Sequence, residues 1–134
     1  MSDVEAIVEK YVASWSEPDA ETRREVIAEI WAPDALYKNS VAEFHGLQGI
    51  EDAVTEAYDV FATQGYTFRV AKVDSNHEAV RYTWEMTPAG GTEPEVVGTQ
   101  VVTLDPRGRM QRDFQFVDKA PAAMLEALGI APLA

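Results

Sequence analysis

Apolar positions change their spacing once along this chain. Before Gly65 they recur every three or four residues, and after it every second residue. The first stripe, Val4, Ile7, Val8, Tyr11, Val12 and Trp15, predicts a helix over about 3–16. Ser2 and Glu5 have the spacing of a capping box at its start. Pro18 and Asp19 interrupt the pattern. A second helix over about 19–31 then ends on Val26, Ile27, Ile30 and Trp31, and Pro33 stops it. Ala35 to Val41 reads as a short extended segment, and Gly46 and Gly49 bracket a turn. Ile50, Ala53, Val54, Ala57, Tyr58 and Phe61 mark a third helix over about 50–64, with Gly65 as its C-cap.

Beyond Gly65 the alternating runs are Tyr66-Phe68-Val70, Val80-Tyr82-Trp84-Met86, Val97-Thr99-Val101 and Met110-Phe114-Phe116. Turn chemistry separates them: Asp74-Ser75-Asn76, the loop from Pro88 to Pro94, and Asp105-Pro106-Arg107-Gly108. A short helix from about Pro121 to Leu128, ended by Gly129, closes the chain. Helices followed by a meander predict an α+β half-cone, with the helices packed on one face of a curved antiparallel sheet around an apolar pocket. The 134 residues fit one domain with no internal repeat or linker.

Composition restricts the partners. The hydrophobic share of 46% and the charged share of 25% are those of a globular chain. With 23 acids against 11 bases the net charge is −12, which repels phosphate backbones and anionic membrane surfaces. Nucleic acid and membrane are therefore not expected partners. Cysteine is absent, which excludes thiol catalysis and disulfides. His45 and His77 lack ligand spacing, so no metal is expected. No secretory apolar segment is visible, so a cytoplasmic location is expected.

Two polar islands carry the candidate chemistry. In an extended Tyr37-Lys38-Asn39 the first and third side chains share a face. In Arg112-Asp113-Phe114, Asp113 is in phase with Gln111 and Gln115. Convergence of the two faces would set a carboxylate, a phenol and a carboxamide in one cavity, able to hold and deprotonate a water or an acidic carbon. Each residue also has a plainer reading. Asp113 could pair with Arg81 or Arg112, and Arg81 could be a surface partner of Glu78 or Glu85. Tyr37 could be packing, Asn39 a turn residue and His45 an idle loop histidine.

The element order, together with Trp31-Ala32-Pro33-Asp34-Ala35-Leu36-Tyr37, Gly46-Leu47-Gln48-Gly49-Ile50 and the run from Gly108 to Asp118, resembles the nuclear transport factor two-like superfamily. Within it the chain is similar to the SnoaL-like polyketide cyclases and the limonene epoxide hydrolases over residues 3–118. The hydrolase resemblance implies that Tyr37 and Asn39 hold a water, that Asp113 activates it and that Arg81 orients Asp113. The position of the proton-donating aspartate holds Thr83, and Glu85 lies about 7 Å further along the strand. A threonine hydroxyl does not release its proton near neutral pH. Other members of the superfamily match less well. The cyclases carry a histidine and an aspartate where this chain has Asp113 and Gln115, and the isomerase base aligns with Asn39.

The resemblance implies an enzyme without cofactor, acting on an apolar small molecule, by epoxide opening or by polyketide-type cyclisation. Asp113, Tyr37, Asn39 and Arg81 are its expected catalytic residues. Trp31, Thr83, Glu85, Gln115 and His45 are the expected substrate contacts. The superfamily's dimers imply a homodimer. The rival reading is a non-catalytic ligand-binding or interaction module on the same fold, which the threonine at position 83 favours.

Overall fold

The computed structural model describes residues 3–127 and residue 129. Ser2 of the expected capping box and Leu128 of the expected last helix lie outside the described residues. Helix α1 (Asp3–Ser14) buries Val8, Tyr11 and Val12. Helix α2 (Ala20–Ile30) is capped by Asp19, whose carboxylate accepts from Thr22 N at 3.3 Å and from Thr22 Oγ1 at 2.6 Å. These bonds satisfy an otherwise open helix N-terminus.

The second helix stops one residue earlier than its pattern predicts, because Trp31 is already extended. A residue before proline disfavours helical backbone, so Ala32-Pro33 holds the chain in strand β1 (Trp31–Lys38). Pro33 itself falls in the stretch between Trp31 and Leu36 where the ladder to the neighbouring strand slips, a position that tolerates a missing N–H. Strand β2 (Glu43–His45) folds back on β1, and helix α3 (Gly46–Val60) follows directly. It begins before residue 50, through both glycines. Gly49 is needed for close approach, since a Cβ there would lie 2.9 Å from the carbonyl carbon of Phe44. A 3-10 turn (Ala62–Gln64) ends on Gly65, left-handed at φ +91°, the expected C-cap conformation.

Strands β3 (Thr67–Asn76), β4 (Ala79–Thr87), β5 (Val96–Leu104) and β6 (Met110–Lys119) form the meander, and α4 (Ala122–Ala127) follows. The sheet is curved and open, in the order β2-β1-β6-β5-β4-β3. The class is the expected α+β. The sheet is mixed rather than wholly antiparallel, because β1 runs parallel to β6 and sets Tyr37 opposite Asp113. Val80, Tyr82, Trp84 and Met86 of β4 and Val96 and Val102 of β5 face the helices and form the core with Tyr11, Ile27, Ile50 and Val54.

Candidate active site

Between the concave face of the sheet and helices α1, α3 and α4 lies a cavity of about 210 Å³. Its walls are apolar, with Trp15, Phe61, Phe68, Trp84, Met86 and Val117 prominent. Six lining residues bring phenols, carboxamides or a carboxylate to it: Tyr11, Tyr37, Asn39, Glu56, Gln100 and Gln115.

The wall formed by β4 and β5 is set by one glycine. Trp84 pairs with Gly98, and its indole lies over the place where a Cβ would stand, 2.2 Å from Cζ2. In that position Trp84 Nε1 donates to Gln100 Oε1 at 3.1 Å. Gln100 Nε2 in turn donates to both carboxylate oxygens of Asp113, at 2.8 Å each. The amide is thereby oriented from both ends, and Asp113 is held from one side.

Asp113 is 0% exposed and does not line the cavity; it sits behind Gln100 and beside Tyr37. Removal from water disfavours its charged form, and burial pushes its pKa up to about 8, against the opposing pull of the Gln100 donor. Three phenols sense this carboxyl. Burial first, and then the Asp113 charge, raise the pKa values of Tyr11, Tyr37 and Tyr82 above the ordinary phenol value. All three therefore stay protonated near neutral pH, each with a proton to donate. The Tyr82 hydroxyl is buried with no hydrogen-bond partner among the described residues.

Tyr37 stacks on Phe44 with ring centroids 5.6 Å apart. Asn39 follows the end of β1 and is partly the turn residue of its plainer reading: its Oδ1 accepts from the N–H groups of Val41 (3.0 Å) and Ala42 (2.9 Å). That leaves its Nδ2 to reach Tyr37 Oη at 3.4 Å. Tyr37, Asn39 and Gln115 thus meet at the cavity, with Asp113 behind its wall.

The remaining candidates lie elsewhere. Arg81 is exposed on the opposite face of β4 and bonds Asp74 of β3 at 2.9 Å, so it does not orient Asp113. Thr83 faces Thr99, and Glu85 pairs with Arg69, on that same outer face. The reason is strand phase: burying Tyr82, Trp84 and Met86 sends residues 81, 83 and 85 outward. His45 is an exposed residue 3.8 Å from Glu43. Trp31 is buried against Tyr11 in the core, outside the cavity lining.

Sequence reasoning missed Gln100 and Glu56. Gln100 did carry a signal, a carboxamide in the inward phase of a strand with Val96, Gly98 and Val102. Glu56 carried none, since one acid among many on an amphipathic helix reads as solvated surface.

Comparison with a family model and with solved structures agrees with this architecture. Residues 8–112 match the model of the SnoaL-like domain. A SnoaL-like family protein from Agrobacterium tumefaciens strain C58, provisionally named an isomerase, superposes with a TM-score of 0.77 at 31% identity, over 84% of this chain and 95% of that one. A provisionally named polyketide cyclase from Sinorhizobium meliloti gives a TM-score of 0.63 at 20% identity, over 83% and 94%. A de novo designed protein with a curved β-sheet gives 0.70 at 15% identity, over 96% and 95%. No curated protein matches the sequence significantly. A family match over most of the chain, a relative of this identity and the half-open sheet around a cavity lead to one statement: the chain belongs to the SnoaL-like domain family, with the nuclear transport factor two-like fold.

Proposed function

We propose that this protein is a cofactor-independent enzyme that isomerises or cyclises a small, largely apolar carbonyl compound through an enolate. The observation that supports this reading is a fully buried carboxyl, Asp113, with a pKa of about 8, behind the polar wall of an apolar cavity. A base works best when its pKa lies near the working pH. At pH 7 roughly a tenth of such a carboxyl is ionised, and that fraction is a far stronger base than an ordinary aspartate.

In the proposed step the Tyr37 hydroxyl donates to the substrate oxygen while Asn39 holds the phenol from the side. Asp113 takes a proton from the adjacent carbon and the electron pair moves onto the oxygen. In isomerisation the proton returns at another carbon. In cyclisation the enolate carbon attacks a second carbonyl of the substrate, whose oxygen takes the proton back from Asp113. Gln100 covers both Asp113 oxygens, so the substrate must turn this amide aside to reach the base. Dry surroundings strengthen every hydrogen bond to the developing oxyanion. Epoxide opening is the less favoured chemistry, because Arg81 and Thr83 are across the sheet and the one carboxylic acid among the described lining residues, Glu56, is exposed on α3. The isomerase designation of the 31% identical relative points the same way.

The same amide supports a second reading, a ligand-binding module, since a carboxyl covered on both oxygens is well suited to holding a wall in place. Turnover of a panel of enones and 1,3-dicarbonyl compounds decides between them. Asp113→Asn keeps the shape and removes the base, so turnover should fall by about 100-fold or more while binding persists. Equal turnover by both proteins removes the base role. Tight binding without turnover of any member selects the module.

A further inference from the structure

We infer that the cavity selects a ligand carrying an alkylated ammonium group over a neutral or anionic one of the same shape. The inference rests on the cavity being the working site, as proposed above, and names the class of molecule it takes.

Seven aromatic rings line the cavity, and its single charged lining residue among the described residues is Glu56; no lysine, arginine or histidine lines it. Trp15, Phe68 and Trp84 form one end as a cluster of mutually edge-on rings, with centroids 5.4 Å, 5.7 Å and 6.4 Å apart. Edge-on packing turns ring faces in several directions, and ring faces attract cations. Tyr37 and Phe44 are stacked nearer to Asn39 and add a second aromatic wall. Glu56, exposed on α3, lies close enough for its charge to raise the pKa of Tyr37. Aromatic rings and one carboxylate thus border the same space. An anion would find no counter-charge here and would face Glu56, whereas an alkylated ammonium is weakly hydrated and loses little on entering an apolar wall. The methyl groups pack as hydrocarbon, and the charge is spread over them.

Binding of such a cation should also draw the Asp113 proton off. The groups that face Asp113 are Tyr11 from α1, Tyr37 from β1, Tyr82 from β4 and Gln100 from β5, and none of them is cationic. A positive charge in the cavity would be the first near this carboxyl. Affinity for the cation should therefore rise with pH up to about 8 and level off above it, with proton release on binding below that pH, while a neutral ligand releases none.

Calorimetric titration of the full chain with phenyltrimethylammonium, tert-butylbenzene and 4-tert-butylbenzoate provides the test. The first two differ only in nitrogen for carbon. Phenyltrimethylammonium should bind about tenfold tighter than tert-butylbenzene, and the carboxylate weakest. Glu56→Gln should close most of that gap without changing tert-butylbenzene, and Glu56→Lys should reverse the order of the two charged probes. Asp59→Asn, one turn along α3 and outside the cavity, should change nothing. Equal loss in Asp59→Asn and Glu56→Gln would mean general attraction to a chain of charge −12 and overturns the inference. Tighter binding of tert-butylbenzene or the benzoate also overturns it, but leaves the cavity as a working site. Failure of all three probes to bind removes both.

Discussion

At the scale of single residues, Asp113 dominates. Its folded pKa of about 8 exceeds the unfolded value, so the folded chain holds the proton more tightly. The linked stability is fully present below about pH 4 and is lost as pH rises from there to about 8, at up to about 1.4 kcal/mol per unit. Asp19, Asp74 and Asp105 have lowered pKa values and weaken the fold only below the usual carboxylate range, so the interval from pH 5 to 8 isolates Asp113. Urea unfolding should show a more stable protein at pH 5 than at pH 8, and Asp113→Asn should flatten that slope. An unchanged slope in the variant would place the titrating group elsewhere. Arg81→Ala gives the contrasting case: its ion pair with Asp74 is exposed, so removal should cost less than about 1 kcal/mol and leave turnover alone. A large loss of turnover would require contact with Asp113 that the outer face does not offer.

Among elements, β4 and β5 determine the shape of the wall. Gly98→Ala puts a methyl group into the Trp84 indole, which must move, and so must its bond to Gln100. Overpacking of this kind costs about 1–3 kcal/mol. Denaturant midpoint and Trp emission should both shift, and an unperturbed spectrum would mean that the indole is not pinned. The same strands indicate how much was legible in advance. Alternation marks every strand of the meander, because a half-buried strand must alternate, although β3 runs on through Asp74-Ser75-Asn76, where a turn is expected. On β6 the ladder slips between Met110 and Arg112, so Met110, expected on the opposite face, is as buried as Asp113. Alternation does not say which phase is concave. Tyr82, Trp84 and Met86 were the better claim on the inside of β4, yet resemblance to the hydrolases pointed to Arg81, Thr83 and Glu85. Nor does periodicity report pairing at long range. Tyr37 and Asp113 became neighbours through the parallel β1–β6 ladder, and no local pattern encodes that register. The start of α3 at Gly46 was missed because glycine reads as a breaker, whereas Gly49 is there to let Phe44 approach.

For the whole molecule, exposed large apolar side chains fall in two places: Val41 and Val60 border the cavity, and Phe116 and Val101 lie on the outer face of the sheet. Phe116 is 57% exposed and Val101 37%, on neighbouring strands. We propose that the chain forms a homodimer through this outer face, since exposed aromatics of this kind are covered at interfaces. Sedimentation of the native chain should give a dimer, and Phe116→Glu a monomer with its cavity intact. A monomeric native chain removes the proposal.

The parallel ladder also has a consequence for the order of events in time. Asp34 and Gln111, hydrogen-bonded at 2.9 Å, are 77 positions apart, and between them lie α3 and three strands of the meander. Closing so long a loop is slow, because the entropy is lost before any contact offsets it. During synthesis α1, α2 and β1 leave the ribosome long before β6 exists to receive them. Their apolar stripes must wait, solvated or held by a chaperone, until the last strand arrives. Asp113 comes on that last strand, so its burial beside Tyr37 has to wait for β6 to join the sheet.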